Sequence, residues 1–124
     1  MGQGKYRSDL LKLWKGKCPI SMIDLSQVLR ASHIKPWRSC SRKEKIDPNN
    51  GILLSAIYDA LFDQYLITFK DTGEIRISNK ISAERRPGLQ LLKLRRVTFN
   101  AKQKEFLAHH RKEFEAREQN IARG

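Results

Sequence analysis

The strongest structural signal in this sequence is a β-hairpin between residues 66 and 78. Residues 66–69 and 74–78 are two short runs rich in β-branched and aromatic residues, and the polar residues 70–73 join them. A linker that ends in Gly73 suits a tight turn between two antiparallel strands. The predicted fold therefore has a β component, and the patterns on either side of the hairpin decide what packs against it.

Helical periodicity flanks the hairpin on both sides. Apolar residues recur at helical spacing over residues 5–15 and 53–63, which predicts two amphipathic helices. Asn100 and Gln103 resemble a capping box in front of a final helix that frays near Asn120. The predicted buried stripe of that helix consists of Phe106, Leu107, His110 and Phe114. We therefore predict one α+β domain that spans residues 1–124.

A further extended segment precedes the middle helix. Residues 27–34 are predicted to form a strand that ends before Pro36, with His33 near its end. Residues 37–49 are polar and charged, which is typical of a surface loop, and loops of this length are often functional. The sequence thus places a histidine at the end of a strand and a long polar loop behind it.

The charge of the chain indicates its partner class. The formal net charge is +12 over 124 residues, so the chain attracts polyanions, and nucleic acid is the leading candidate.

No apolar run is long enough for a membrane span or an export signal, which predicts a soluble cytoplasmic protein. Cys18 and Cys40 have no C-x-x-C spacing, which argues against a zinc knuckle and a disulfide scaffold. Either phosphate contact or a solvated surface fits the basic residues; those we predict to bind DNA are Lys35, Arg38, Arg85, Arg86, Arg95 and Arg96.

Three side chains could provide the chemistry of phosphodiester hydrolysis. That reaction needs a base to deprotonate water and a cation to neutralise the phosphate. His33 is the candidate base, although a packing histidine beside apolar neighbours is the alternative. Asp59 and Asp63 lie at i and i+4 of the predicted middle helix and could hold a hard divalent ion through oxygen. Their alternative is a solvated helix face.

Several segments together closely resemble the HNH endonuclease domains found at the C-terminus of bacterial restriction-like proteins. The segments are residues 31–37, 47–55, 59–63 and 66–69, with a lead-in at residues 2–7 and a closing helix around residues 106–111. The resemblance covers most of the chain. It implies a ββα-metal core with an N-terminal helix, a following β-hairpin and a C-terminal helix.

The resemblance also implies a role for each site residue. His33 matches the histidine that activates water, and Asn50 matches the asparagine that braces the loop and helps to orient that histidine. Asp59 is the first candidate metal ligand and Asp63 the second, whereas Ser32 replaces a ligand that many relatives have. The implied reaction is hydrolysis of DNA with Mg²⁺ or Mn²⁺.

One departure from the family pattern leaves an alternative open. Family members often have a histidine two residues before the first aspartate of the D-x-x-F-D segment, where this sequence has Ile57. The alternative function is a catalytically degenerate HNH fold that still binds DNA, and a more distant one is a basic protein that binds RNA. Relatives usually attach this module to a DNA-recognition domain, so the chain also fits a piece of a longer protein.

Overall fold

The computed structural model describes the backbone of residues 2–123 and the side chains of residues 4–121. The helices are α1 (Gly2–Leu13), α2 (Arg42–Ile46), α3 (Ala56–Asp63) and α4 (Ala101–Arg123), and the strands are β1 (Leu29–His33), β2 (Gly51–Ser55), β3 (Ile67–Phe69) and β4 (Ile75–Ile77). The predicted α+β class is confirmed, including the N-terminal helix, the hairpin and the C-terminal helix. Met1 and Gly124, the ends of the predicted domain, lie outside the described residues.

β1 and β2 form an antiparallel pair, and α3 follows β2 directly. The register places Leu29 opposite Ser55 and His33 opposite Gly51. All five residues of β2 are buried, and α3 packs against both strands. This strand-strand-helix unit brings the end of β1, where His33 lies, close to α3.

The strand β2 corrects the prediction of a helix over residues 53–63. Leu53 and Leu54 pair with Ala31 and Arg30 of β1, and the helix begins only at Ala56. Both leucines are fully buried. A short apolar run that is buried on both faces does not show the alternation of apolar and polar residues that is typical of a strand. Its leucines therefore fitted the helical spacing of the residues that follow them.

The predicted hairpin at residues 66–78 is confirmed as β3 and β4. The Gly73 amide donates to the carbonyl of Lys70 at 2.8 Å, and the Val97 amide donates to the carbonyl of Gly73 at 3.0 Å. Gly73 has φ +87°, and a Cβ atom there would lie 1.9 Å from the Val97 carbonyl oxygen. Glycine is therefore required both by the backbone conformation and by the close approach of the following irregular segment.

The C-terminal helix α4 begins at the predicted capping box. The Gln103 amide donates to Asn100 Oδ1, and the Asn100 amide donates to Gln103 Oε1. The predicted stripe of four residues is buried, but the helix extends to Arg123 and does not end near Asn120. No helix within residues 2–123 has the length and apolar character needed to cross a membrane.

The segment predicted as a polar loop, residues 37–49, is more ordered than expected. It contains α2, flanked by single 3₁₀ turns. Ser41 caps α2, since its hydroxyl accepts from the Glu44 amide while the Glu44 carboxylate accepts from the Ser41 amide. The S-x-x-E pattern of a capping box was present in the sequence, and the polar composition around it concealed the helix.

The helix α1 packs on the β1–β2 pair through polar as well as apolar contacts. Arg7 donates to the carbonyls of Leu29 and Ser26, and Trp14, in the turn that follows the helix, donates its Nε1 hydrogen to the carbonyl of Gly51 at 3.1 Å. The helix covers Gly2–Leu13 where residues 5–15 were predicted, and β1 covers Leu29–His33 where residues 27–34 were predicted. Differences of this size at element ends come from the turns that flank them.

Candidate active site

An open groove of about 980 Å³ runs beside the end of β1. The groove is lined by residues of α1, β1, α3 and α4, and by residues 34–39, which follow β1 in the chain. Among the predicted site residues, the groove brings together His33, Asp59, Asp63, Lys35 and Arg38. Asn50 is buried behind it, and Arg85, Arg86, Arg95 and Arg96 are not part of its lining.

The imidazole of His33 is held in one orientation at the end of β1. Its Nε2 lies 2.7 Å from the carbonyl oxygen of Lys45. A carbonyl can only accept, so Nε2 carries the hydrogen, and the neutral ring has its lone pair on Nδ1. The ring is stacked on Tyr6 with centroids 4.4 Å apart and meets the edge of Trp37 at 4.9 Å. The free nitrogen of a fixed imidazole is suited to accept a proton.

The surroundings of His33 also favour its neutral form. Burial lowers the pKa of the imidazole below its ordinary value, and the ammonium of Lys45 lowers it further, whereas the hydrogen bond to the Lys45 carbonyl raises it. The net shift is downward because removing water from the charged ring costs more than the hydrogen bond returns. At neutral pH the ring is therefore unprotonated, as a general base must be.

Asn50 connects both ends of the segment that carries α2. Its side chain is fully buried. Oδ1 accepts from the Lys35 amide at 2.8 Å, and Nδ2 donates to the Glu44 carbonyl at 2.9 Å and contacts the Cys40 sulfur at 3.4 Å. Glu44 precedes the residue whose carbonyl binds His33, so the Asn50 amide fixes the support of the imidazole without touching the groove.

Lys35 lines the groove, but its charge is already engaged. Its ammonium lies 2.9 and 3.0 Å from the two carboxylate oxygens of Glu44, and only 13% of the Lys35 side chain is exposed. The hydrogen bond from the Ser41 amide and the pairing with Lys35 hold the pKa of Glu44 below its usual range. Lys35 therefore fixes α2, and Arg38 is the more available cation for phosphate.

The two aspartates lie on α3 along the same groove. Asp59 is half-buried and Asp63 is exposed at the last residue of the helix. Asp59 Oδ1 accepts a hydrogen bond from the Ser32 hydroxyl of β1. The Ser32 position thus faces Asp59 across the β1–α3 contact, where the family resemblance places another ligand.

These oxygen donors fit a hard cation with most of its coordination open. No group of three His, Cys, Asp or Glu side chains converges within the part of the chain that the structure describes. A closed zinc site needs four such ligands. Mg²⁺ usually retains several waters and binds through one or two carboxylates together with substrate phosphates. Asp59 and Asp63 match that second pattern.

The remaining basic residues predicted to bind DNA do not line the groove. Arg95 and Arg96 are exposed and line a separate cavity of about 270 Å³ together with Glu74. Arg85 ends a 3₁₀ turn, and Arg86 follows it. Sequence clustering grouped these side chains, but only Arg38 and Lys35 of the six lie at the groove.

Ile57, where the sequence departs from the family pattern, contacts the hydrophobic core. It is partly buried and does not line the groove. The predicted packing role of His110 agrees with its contacts, since Nδ1 pairs with Thr68 and Nε2 with the Phe62 carbonyl. Burial lowers the pKa of His110 to about 4.

Sequence reasoning missed the supports of His33. Tyr6 lies within the predicted first helix, residues 5–15, and its stacking partner His33 lies far along the chain. Glu44 could have been found from the capping-box pattern that begins at Ser41. The Lys45 carbonyl is a backbone group, which no residue identity can indicate.

Comparison with known proteins adds one finding. Residues 18–70 match a family described as HNH endonuclease. The matched segment includes β1, α2, β2, α3 and β3, and with them His33, Asn50, Asp59 and Asp63. The helices α1 and α4 lie outside it. None of the curated proteins compared matches the chain.

Proposed function

We propose, from the match of residues 18–70 to the HNH endonuclease family, that this chain hydrolyses DNA phosphodiester bonds with the help of a divalent ion. The observation that carries the proposal is the hydrogen bond from His33 Nε2 to the Lys45 carbonyl, which leaves Nδ1 as an acceptor in a groove that also contains Asp59 and Asp63. The whole chain would act as one nuclease module, alone or joined to a DNA-recognition domain.

In this mechanism His33 removes the proton from water. Nδ1 receives it, and the resulting imidazolium keeps its other N–H on the Lys45 carbonyl, so the ring need not move. Asn50 holds the backbone that carries that carbonyl. The Arg38 guanidinium, at the edge of the groove, would bind a neighbouring phosphate.

Asp59 and Asp63 would hold the ion, Mg²⁺ or Mn²⁺, through their carboxylate oxygens. When bound, such an ion neutralises charge on the phosphate and on the departing oxygen. The Ser32 hydroxyl, which donates to Asp59, fixes the rotamer of that carboxylate. By the family resemblance, the products have a 5′ phosphate and a 3′ hydroxyl.

The charge of the chain supports DNA as the substrate. A net charge of +12 favours polyanion binding through counterion release. Arg85, Arg86, Arg95 and Arg96 would contribute to non-specific attraction outside the groove, since they do not line it. A cytoplasmic location agrees with a DNA substrate.

Nicking of supercoiled plasmid tests the proposed function. We expect relaxation with Mg²⁺ or Mn²⁺ and none with chelator, and His33→Ala, prepared in the same way, should nick at least about a hundredfold more slowly. Cleavage that persists in chelator, or that continues at the parental rate in the His33→Ala protein, would overturn the proposal.

A second candidate function is DNA binding without cleavage. It is favoured by Ser32, a poor metal ligand, whose hydroxyl donates to Asp59 at the position where the family resemblance implies another metal ligand. Tight DNA binding without metal-dependent nicking would favour this candidate. Competition between DNA and RNA for the bound protein would then separate a DNA-binding module from an RNA-binding one.

A further inference from the structure

Tyr6 of α1 makes two contacts with the centre of the site. Its ring lies parallel to the His33 ring, with an angle of 7° and centroids 4.4 Å apart. Its hydroxyl donates to the carbonyl of Asn50 at 2.7 Å. Tyr6 is only 4% exposed, so these contacts are made in a buried position.

Gly51 shows independently that α1 must come this close. A Cβ atom at Gly51 would lie 2.2 Å from the Tyr6 hydroxyl oxygen and 2.8 Å from the methyl carbons of Leu10. Gly51 is the β2 residue opposite His33 in the strand register. The absence of a side chain there is what lets Tyr6 reach the histidine.

The two aromatic neighbours of His33 differ in how firmly they can hold it. Trp37 meets the imidazole with its edge and is 48% exposed. Tyr6 is stacked on one face of the imidazole from a buried position on α1, so rotation of the imidazole out of its plane would clash with the phenol. The Lys45 carbonyl fixes the Nε2 end of the ring, and Tyr6 fixes the plane.

We propose that Tyr6 is a positioning residue for the catalytic base, and that α1 is a part of the catalytic unit although it lies outside the matched segment, residues 18–70. This inference rests on the proposed role of His33. The stack keeps the imidazole in the plane where Nε2 meets the Lys45 carbonyl, and it excludes water from one face. The hydroxyl bond to Asn50 anchors the phenol from behind.

Three variants of the full chain separate positioning from simple packing. Tyr6→Leu removes the stack, and Tyr6→Phe retains the stack but loses the bond to Asn50. Trp14→Phe is the matched control, since Trp14, in the turn after α1, also donates one hydrogen bond to β2, at the Gly51 carbonyl, but is not stacked on His33. Thermal melts check that each variant folds. If Tyr6→Leu melts below the working temperature, Tyr6→Met replaces it, because its unbranched side chain has a similar volume but fills an irregular space more readily.

The first readout is the ¹⁵N spectrum of the His33 side chain in mildly alkaline buffer, where the imidazole is neutral. We expect the parent, Tyr6→Phe and Trp14→Phe to show a protonated Nε2 and an unprotonated Nδ1. In Tyr6→Leu the two nitrogen shifts should move toward each other, because both tautomers become populated. Unchanged shifts in Tyr6→Leu, or an equal change in Trp14→Phe, would overturn the proposal.

The second readout is plasmid nicking with Mn²⁺. We expect kcat to fall about tenfold or more in Tyr6→Leu while KM is nearly unchanged, since a misoriented base affects the chemical step and not DNA binding. A loss confined to KM would overturn the positioning role. If the parent does not nick DNA at all, the proposed function fails, but the nitrogen shifts still decide whether Tyr6 orients His33.

Discussion

His33 and Asp59 line the same groove, yet the protein fixes them to different degrees. His33 has a hydrogen bond at Nε2, a stacked ring on one face and a second ring at its edge. Asp59 has one side-chain hydrogen bond within residues 4–121, to Ser32, and Asp63 is exposed. The difference matches their proposed tasks, because a base must be oriented in advance, whereas carboxylates that hold Mg²⁺ adjust to the ion and its waters.

The largest expected effect is on the fixed side of the groove. His33→Ala should lower the rate of plasmid nicking by about 10² to 10⁴, the usual cost of losing a general base. DNA affinity, measured by fluorescence anisotropy, should stay within twofold or so of the parent because the side chain transfers a proton and does not bind phosphate. His109→Ala is the matched control, since His109 is exposed on α4. Equal losses in both variants would contradict the assignment of the base.

The next largest effect should come from replacing the two aspartates, which are held by fewer contacts than His33. Asp59→Asn should weaken Mn²⁺ binding, as measured by calorimetric titration, and lower the rate of nicking by at least about tenfold, since even the loss of an outer-shell partner of a metal ligand costs roughly ten- to a hundredfold. Asp63→Asn should do so less, because Asp63 is exposed at the helix end. Without metal, Asp59→Asn should melt at the same temperature or slightly higher, since like charges at i and i+4 repel. An unchanged Mn²⁺ affinity, or a large loss of metal-free stability, would exclude Asp59 as a ligand.

Asn50→Ala should affect the support of His33 and the stability of the fold together. The substitution leaves the Lys35 amide and the Glu44 carbonyl without their partner, which should lower the free energy of unfolding by about 1–3 kcal/mol. Urea titration measures that loss. Asn49→Ala is the control, because within residues 4–121 the Asn49 side chain has one hydrogen bond, from the exposed Asn100 side chain. If Asn50→Ala were as stable as Asn49→Ala, the hydrogen bonds of the Asn50 side chain would contribute little to the free energy of unfolding.

The pH profile of nicking should reveal the lowered pKa of His33. The base works only when neutral, so kcat should be constant at neutral pH and fall about tenfold per unit below the pKa of His33, which lies under the ordinary 6.5. Melts at each pH are the control. The pKa of buried His110 is depressed to about 4, so the unfolded chain binds a proton at this residue before the folded protein does. The stabilisation from its neutral form is therefore complete above pH 6.5 and is lost as the pH falls from 6.5 toward about 4. A decline in kcat that begins above 6.5 would contradict the predicted shift.

The smallest expected effect concerns phosphate contacts. Arg38→Ala should weaken DNA binding a few-fold and reduce the salt slope by about one. Arg85→Ala, outside the groove, should change affinity less, although the formal charge of the protein changes equally. Binding measured over a series of salt concentrations compares the two. Identical effects would show that the groove is no better a phosphate site than the basic surface.

Local sequence predicted the hairpin and the start of α4, but α2 was missed although its capping box is also local. Gly73 ends a turn whose neighbours are β-rich, and Asn100 with Gln103 caps a helix within four residues, so both features could be identified from sequence. The strand β2 was missed because Leu53 and Leu54 are buried on both faces, and only pairing with β1 identifies them as a strand.

The candidate site divides in the same way. The sequence singled out His33, Asn50 and Asp59 by residue type and order, and the structure places His33 and Asp59 along one groove with Asn50 behind it. The sequence could not indicate that a backbone carbonyl selects the tautomer of His33, or that Tyr6 of α1 covers one face of the imidazole. Those relations depend on distances between residues far apart in the chain.

Gly51 would behave unusually in a mutational scan. Its backbone is ordinary extended chain, with φ −159°, so no conformational rule forbids another residue. Any side chain would nevertheless meet Tyr6 and Leu10, whereas a Cβ atom at Gly4 would meet nothing within 4 Å. Gly51 should therefore be as intolerant of substitution as a residue that takes part in the reaction, although it provides no chemical group. Low tolerance of substitution at Gly51 would reflect the close packing of α1 against β2. Without the structure, the same result would be interpreted as evidence that Gly51 takes part in catalysis.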